Sequence, residues 1–234
     1  MRRIPALLAA LVLMVAVTPP ASAETRDSPH WVGYGARDPE GFRSVSARWT
    51  VPAYVGECSG NRWAAYAVWV GMGGQDGGAT DTVEQTGTIA ECRDGTVEHW
   101  AFVEAYPAEA ELLFEVQPGD VVDAQITMRD GVFDFLVADS TSKRWEDGTR
   151  ATTGLGRTAE VVVESPDGEY FRKFDPVHFR KAKINGRSIG LLDLTRWTLV
   201  DYDGDHPTEP RVVRAWATHL FNAGTAFDVH WLSE

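Results

Sequence analysis

Turn signals punctuate this chain every 8 to 14 residues, and that spacing restricts the fold more than any other feature. Asp-Gly occurs at 94, 130 and 203, Pro-Gly-Asp at 118, Pro-Asp-Gly at 166 and Asn-Gly at 185. Between them lie short runs rich in Val, Thr, Trp, Tyr and Phe, such as SVSARWTVP, AAYAVWVG, EHWAFVEAYP, VFDFLVAD, TAEVVVE and AFDVHWL. Short β-prone segments separated by turn residues read as an antiparallel all-β sandwich or barrel. No long segment keeps a clean 3.6-residue period, so helices should be few and short. The expected fold is a sandwich of two antiparallel, curved sheets of the concanavalin-like or jelly-roll type. Without an internal repeat or linker, residues 24–234 read as one domain.

The first residues, MRRIPALLAALVLMVAVTPPASA, read as a leader. Arg2 and Arg3 form a basic start, Ile4 to Val17 an apolar segment too short for an anchor, and Ala21-Ser22-Ala23 a small-residue cleavage site. Residues 1–23 are thus expected to be a signal peptide that is removed, leaving a secreted protein with no membrane attachment. Losing Arg2 and Arg3 takes the formal charge from −12 to about −14. A surface this acidic repels phosphate backbones, which argues against nucleic-acid partners. Two cysteines, Cys58 and Cys92, occur in a chain bound for an oxidising compartment, and one disulfide is the simplest use for them.

Strand alternation assigns faces. In the run from His99 to Tyr106, Trp100, Phe102, Glu104 and Tyr106 share one face, while Ala101, Val103 and Ala105 share the other. Either the aromatic face is the core, or the small residues pack against a second sheet and the aromatic face lines an open cleft. A carboxylate among core aromatics would need a partner, so the cleft reading is favoured. In Ala159 to Glu164, Glu160, Val162 and Glu164 oppose Ala159, Val161 and Val163. By themselves the two glutamates read as exposed residues of an edge strand.

Several motifs carry no chemistry. GRSIG at 186–190 has the nucleophile-elbow spacing, but it lies in an Asn-Gly hairpin rather than between a strand and a helix, so Ser188 is not read as a nucleophile. The six histidines show no zinc spacing. Asp201, Asp203 and Asp205 alternate as in a calcium loop, yet Gly204 comes early and no acid closes the loop, so an acidic turn is expected. No metal or cofactor is implied.

What remains is an ordered constellation: Trp69-Val70-Gly71-Met72-Gly73-Gly74, Glu84-Gln85-Thr86-Gly87, Glu104-Ala105-Tyr106-Pro107, and Ala159-Glu160-Val161-Val162-Val163-Glu164. It resembles the glutamic peptidases (eqolisins), secreted acid proteases built on two antiparallel sheets, whose blocks look like W-V-G-x-x-G, Q-T-G, E-x-Y-P and A-E-x-x-x-E. His30-Trp31-Val32-Gly33 and Phe227-Asp228-Val229-His230-Trp231 resemble the family's opening and closing elements. The cysteines do not sit at the fungal positions, so the resemblance is to a bacterial-type secreted member.

The resemblance implies that Gln85 and Glu164 are the catalytic pair. Glu164 would activate water and then protonate the leaving amine, and Gln85 would stabilise the oxyanion. It further implies that Trp31, Trp69, Phe102, Glu104, Tyr106 and Glu160 contact the substrate, a polypeptide handled by a monomer. Where some members have acids this chain has Gly73 and Ile89, and Phe102 stands where a Trp is frequent. Two other readings stay open: a glycosidase using Glu104 and Glu164, and a non-catalytic module that binds peptide or glycan on its aromatic face.

Overall fold

The computed structural model describes residues 23–58, 64–75, 82–166, 172–201 and 212–232. All of the expected leader except Ala23, and most of the acidic turn after Asp201, lie outside these residues.

Among the described residues the chain is almost entirely antiparallel β structure, with one 3-10 turn at Ile189–Leu191. The expected all-β sandwich is what it forms. One hydrogen-bonded path of strands folds over on itself. Its front layer runs in the order Leu194–Asp201, Trp31–Arg37, Thr158–Glu164, Ala64–Gly73, Val83–Arg93, Thr96–Tyr106 and Glu111–Glu115. Its rear layer contains Arg144–Ala151, Val132–Asp139, Val121–Arg129 and Ser44–Thr50.

Val177–Ile184 joins the layers. Val177 to Phe179 pair with Phe227–Trp231, while Arg180 to Ile184 pair with Ser44–Thr50. The register breaks between Arg180 and Lys183, and Lys181 takes a positive φ of 54°. Such a bulge bends a strand and increases its twist, which lets one segment serve both layers.

Local turn chemistry sets the register of the hairpins. Asp94 and Gly95, with φ of 51° and 80°, join Val83–Arg93 to Thr96–Tyr106. Asn185 and Gly186, at 50° and 71°, form the hairpin that contains the GRSIG run. Two positive-φ residues match the right-handed twist of paired strands, and Asn-Gly and Asp-Gly tolerate them at least cost. Ser188 donates its hydroxyl to the Ala223 carbonyl at 2.8 Å and precedes the three-residue 3-10 turn, so the hairpin reading of that motif holds.

Alternation fills two apolar layers. Val68, Val70 and Met72 join Ala101, Val103, Ala159, Val161 and Val163 in the main core between the sheets, against Trp49, Ile126, Phe133 and Phe135. On the opposite face, Ala65, Ala67, Trp69, Val83, Ile89, Phe102, Val162 and Trp197 form a second cluster. Each large apolar side chain so buried contributes about 1.5–3 kcal/mol. The indole of Trp49 donates to Thr88 Oγ1 at 3.0 Å, so a polar atom of the core is paired.

Cys58 and Cys92 form the expected disulfide, with 34 residues of separation. It ties the segment before Ala64–Gly73 to the end of the Gln85 strand. Closing a loop of this length stabilises by about 4 kcal/mol in the chain-entropy model. Replacing both cysteines with serine should therefore lower the melting temperature by about 10 °C, as measured by calorimetry under non-reducing conditions.

Candidate active site

Strand register brings one row of side chains together. Glu160 pairs with Gly71, Gly71 with Gln85, and Gln85 with Glu104, across four neighbouring strands. Gly71 has to be small: a Cβ there would lie 2.8 Å from the Trp69 ring and 3.0 Å from Gln85 Cβ. Four residues along its strand from Glu160, Glu164 pairs with Ala67 on one side and Trp31 on the other. Thr158–Glu164 is accordingly an interior strand of the sheet, and its two glutamates are not the exposed edge residues that their alternation alone suggests.

The second apolar cluster floors a cleft of about 1290 Å³, lined by Gln85, Glu104 and Glu164 with Trp31, Phe102, Tyr106, Ile89, His30, Gln75 and Trp197. Gln85 is 5 % exposed, and its Nε2 donates to Glu104 Oε2 at 3.0 Å. Glu84, next to it, faces the other way, fully buried, and accepts from the Thr152 hydroxyl. Period-2 alternation thus turns Gln85 and Glu84 to opposite faces of the sheet.

Two indoles hold Glu164. Trp31 Nε1 donates to its Oε1 at 3.1 Å and Trp69 Nε1 donates to its Oε2 at 2.7 Å. Trp31 packs edge-on against both Trp69 and Trp197, with ring centroids 5.4 and 5.6 Å away, so the donors have little freedom to turn. Burial lifts the Glu164 pKa above the ordinary carboxylate value. The two indole bonds and the nearby His30 oppose that rise without overcoming it.

Glu104 is perturbed further. Burial first, and then the negative charge of Glu164, push its pKa up to about 7. Two carboxyls close enough to act on each other, in a cleft with a neutral amide donor, are suited to proton transfer next to developing negative charge.

The structure brings six of the expected site residues to the cleft wall: Gln85, Glu164, Trp31, Phe102, Glu104 and Tyr106. The other two lie beneath it. Trp69 is fully buried and reaches the site through its bond to Glu164 and its edge contact with Trp31, and Glu160 is fully buried under Gln75, whose Nε2 donates to Glu160 Oε1. Neighbouring side chains close over both of them. Gly73 adopts φ +99°, and a Cβ there would sit 1.9 Å from the Thr82 carbonyl, so the backbone itself leaves no room for an acid at this position. Ile89 is 8 % exposed and packs in the second cluster.

Sequence reasoning assigned no site role to Gln75, His30 or Trp197. Gln75 directly follows the Gly73-Gly74 pair, and His30 directly precedes Trp31; that adjacency was the available signal. Trp197 reaches the cleft from a distant strand, and nothing local marks it.

Residues 29–213 match the model of the Peptidase A4 family. No curated protein sequence matches the chain significantly. Among solved structures the chain is similar to scytalido-glutamic peptidase bound to a transition state analog inhibitor, with 21 % identity and a TM-score of 0.67, covering 87 % of this chain and 98 % of that one. It is similar to SCP-B, a member of the eqolisin family in complex with the tripeptide Ala-Ile-His, with 20 % identity, a TM-score of 0.58 and the same coverage. It is also similar to aspergilloglutamic peptidase from Aspergillus niger, with 20 % identity and a TM-score of 0.50, covering 72 % and 99 %. At these identities the likeness establishes a common fold.

The raised pKa of Glu104 has a consequence for stability. Between about pH 4.5 and 7 the folded state holds a proton on Glu104 that the unfolded state releases. Stability should therefore fall as pH rises through that window. In Glu104→Gln this loss should be smaller, as read from melting temperatures at pH 4.5 and 7, with solvent screening moderating the difference.

Proposed function

Because the chain belongs to the Peptidase A4 family and is a peptidase of the glutamic type, we propose that it cleaves polypeptides in acid with Glu164 and Gln85 as the working pair. The observation that carries this reading is the pairing of a buried, doubly hydrogen-bonded Glu164 with a neutral amide donor in one cleft. Ionised Glu164 takes a proton from water as its oxygen bonds to the scissile carbonyl carbon, and the carbonyl becomes an oxyanion. Gln85 Nε2 donates to that oxyanion. Protonated Glu164 then delivers its proton to the amide nitrogen as the C–N bond breaks, releasing an amine and a carboxylic acid.

Acid conditions suit this arrangement for two reasons. The Gln85 amide does not titrate, so it remains a donor at every pH. Its present acceptor, Glu104, becomes neutral as pH falls below about 7. A neutral carboxyl holds an N–H more weakly than a carboxylate does, which frees Gln85 to turn its donor toward a charged oxyanion. Neutral Glu104 also stops repelling that oxyanion. The disulfide fits export to an oxidising compartment, and we place the enzyme outside the cell as a monomer, with residues 1–23 as its removable leader and 24–234 as one peptidase domain.

Digestion of an unfolded protein across pH 2 to 7 tests the pair. Glu164→Gln should abolish cleavage, and Gln85→Ala should lower kcat by about 10²- to 10³-fold, as for loss of a single oxyanion donor. Full activity in Glu164→Gln would falsify the assignment.

A further inference from the structure

Three rows of side chains cross the cleft face of the front sheet. Glu160, Gly71, Gln85 and Glu104 make the first. Val162, Trp69, Gly87, Phe102 and Leu112 make the second. Glu164, Ala67, Ile89 and Trp100 make the third. Side chains on one face recur at every second residue, so neighbouring rows lie about 7 Å apart along the strands.

In the reaction set out above, the scissile bond lies between Glu164 and Gln85, over the second row. The Glu164 carboxyl leans into that row, because its Oε2 accepts from Trp69 Nε1 at 2.7 Å. Gly87 keeps the middle of the row low. A Cβ there would lie 2.1 Å from the Val68 carbonyl oxygen and 2.7 Å from Trp69 Cα, so no side chain can rise at this point. A peptide bond over Gly87 has the polar Gln85 and Glu104 on one side. On the other side it meets Ala67 and Ile89.

That second side is apolar and shaped. Ala67 is a small residue between the larger Glu164 and Ile89, which makes it the low point of its row. Ala67, Ile89 and Phe102 all line the cleft and belong to one apolar cluster. Ile89 and Phe102 thus wall a shallow depression floored by Ala67. One pleat further on, Glu91 pairs with Ala65 and is bridged to Arg93 at 3.1 Å, so the next carboxylate in that direction already has a cation. An apolar side chain placed in the depression gains by leaving water, whereas a charged one loses its hydration against apolar walls.

We propose that Ala67, Ile89 and Phe102 form a subsite that selects an apolar side chain on one flank of the scissile bond. The inference rests on the reading of Glu164 and Gln85 as the working pair, since that pair places the bond. Ala67 sets the depth of the subsite and Ile89 sets its width.

Internally quenched peptides carrying Ala, Leu, Phe, Lys or Asp at each of the two positions flanking the cut test this, with the cut located by mass spectrometry. At one flank, kcat/KM for Leu should exceed that for Ala, Lys and Asp by about 10-fold or more. Ala67→Leu fills the depression and should lower the Leu-to-Ala ratio by about 10-fold. Ile89→Ala widens it and should raise the Phe-to-Leu ratio by a similar factor. A variant that merely folds less well lowers every rate and leaves these ratios alone. The subsite is overturned by equal rates across the panel at both flanks, by Lys or Asp being preferred at both, or by unchanged ratios in either folded variant. An inactive Glu164→Gln, measured in parallel, then leaves the base assignment standing; an active one overturns both.

Discussion

The front sheet is covered on both faces, and the rest of the molecule depends on that double burial. Ala64–Gly73 is buried at nine of its ten positions. Its even-numbered apolar residues from Tyr66 to Met72 meet the rear layer, while Ala67 and Trp69 meet the second cluster. In most antiparallel sheets one face is wet. Here the face away from the main core is roofed by Trp31 and Trp197 and open only along the cleft. A polar group on that face has little water around it, so each carboxyl there depends on its hydrogen-bond donors and on nearby charge.

That constraint accounts for the chemistry of the cleft. Glu164 survives burial because two rigid indoles donate to its two oxygens, and Glu104 answers the same burial by holding a proton up to about pH 7. Gln85 is the one member of the group that can be buried as a donor without titrating. A lysine or arginine in its place would bring a charge that burial penalises. The three residues thus meet one low-dielectric environment in three ways.

Scaffolding far from the cleft sets the distances within it. The bulge at Lys181 carries a strand from one layer to the other, and the core that results supports the inner face of the cleft strands. The disulfide fastens the far end of the Gln85 strand, and the Ser28 turn fastens the start of the strand that bears Trp31. Backbone glycines complete the fit, with Gly71 admitting Trp69 beside Gln85 and Gly73 turning the chain where no side chain can stand.

The amino-acid sequence by itself determined the class of fold, because turn chemistry and period-2 alternation act locally and need no distant partner. Asp94-Gly95 and Asn185-Gly186 could each be read as hairpins, and Ala101 and Val103 as the residues that face a second sheet. It also determined which side chains could share a face, as with Trp100, Phe102, Glu104 and Tyr106. Only the tertiary structure decided how deep those side chains lie. Trp69 and Glu160 carry the same strand pattern as residues on the cleft wall, yet neighbouring strands and Gln75 close over them. Trp197 and His30 reach Glu164 and its surroundings through contacts between segments far apart in the chain. Burial and electrostatic environment arise from such long-range packing, and alternation along a strand carries no record of them.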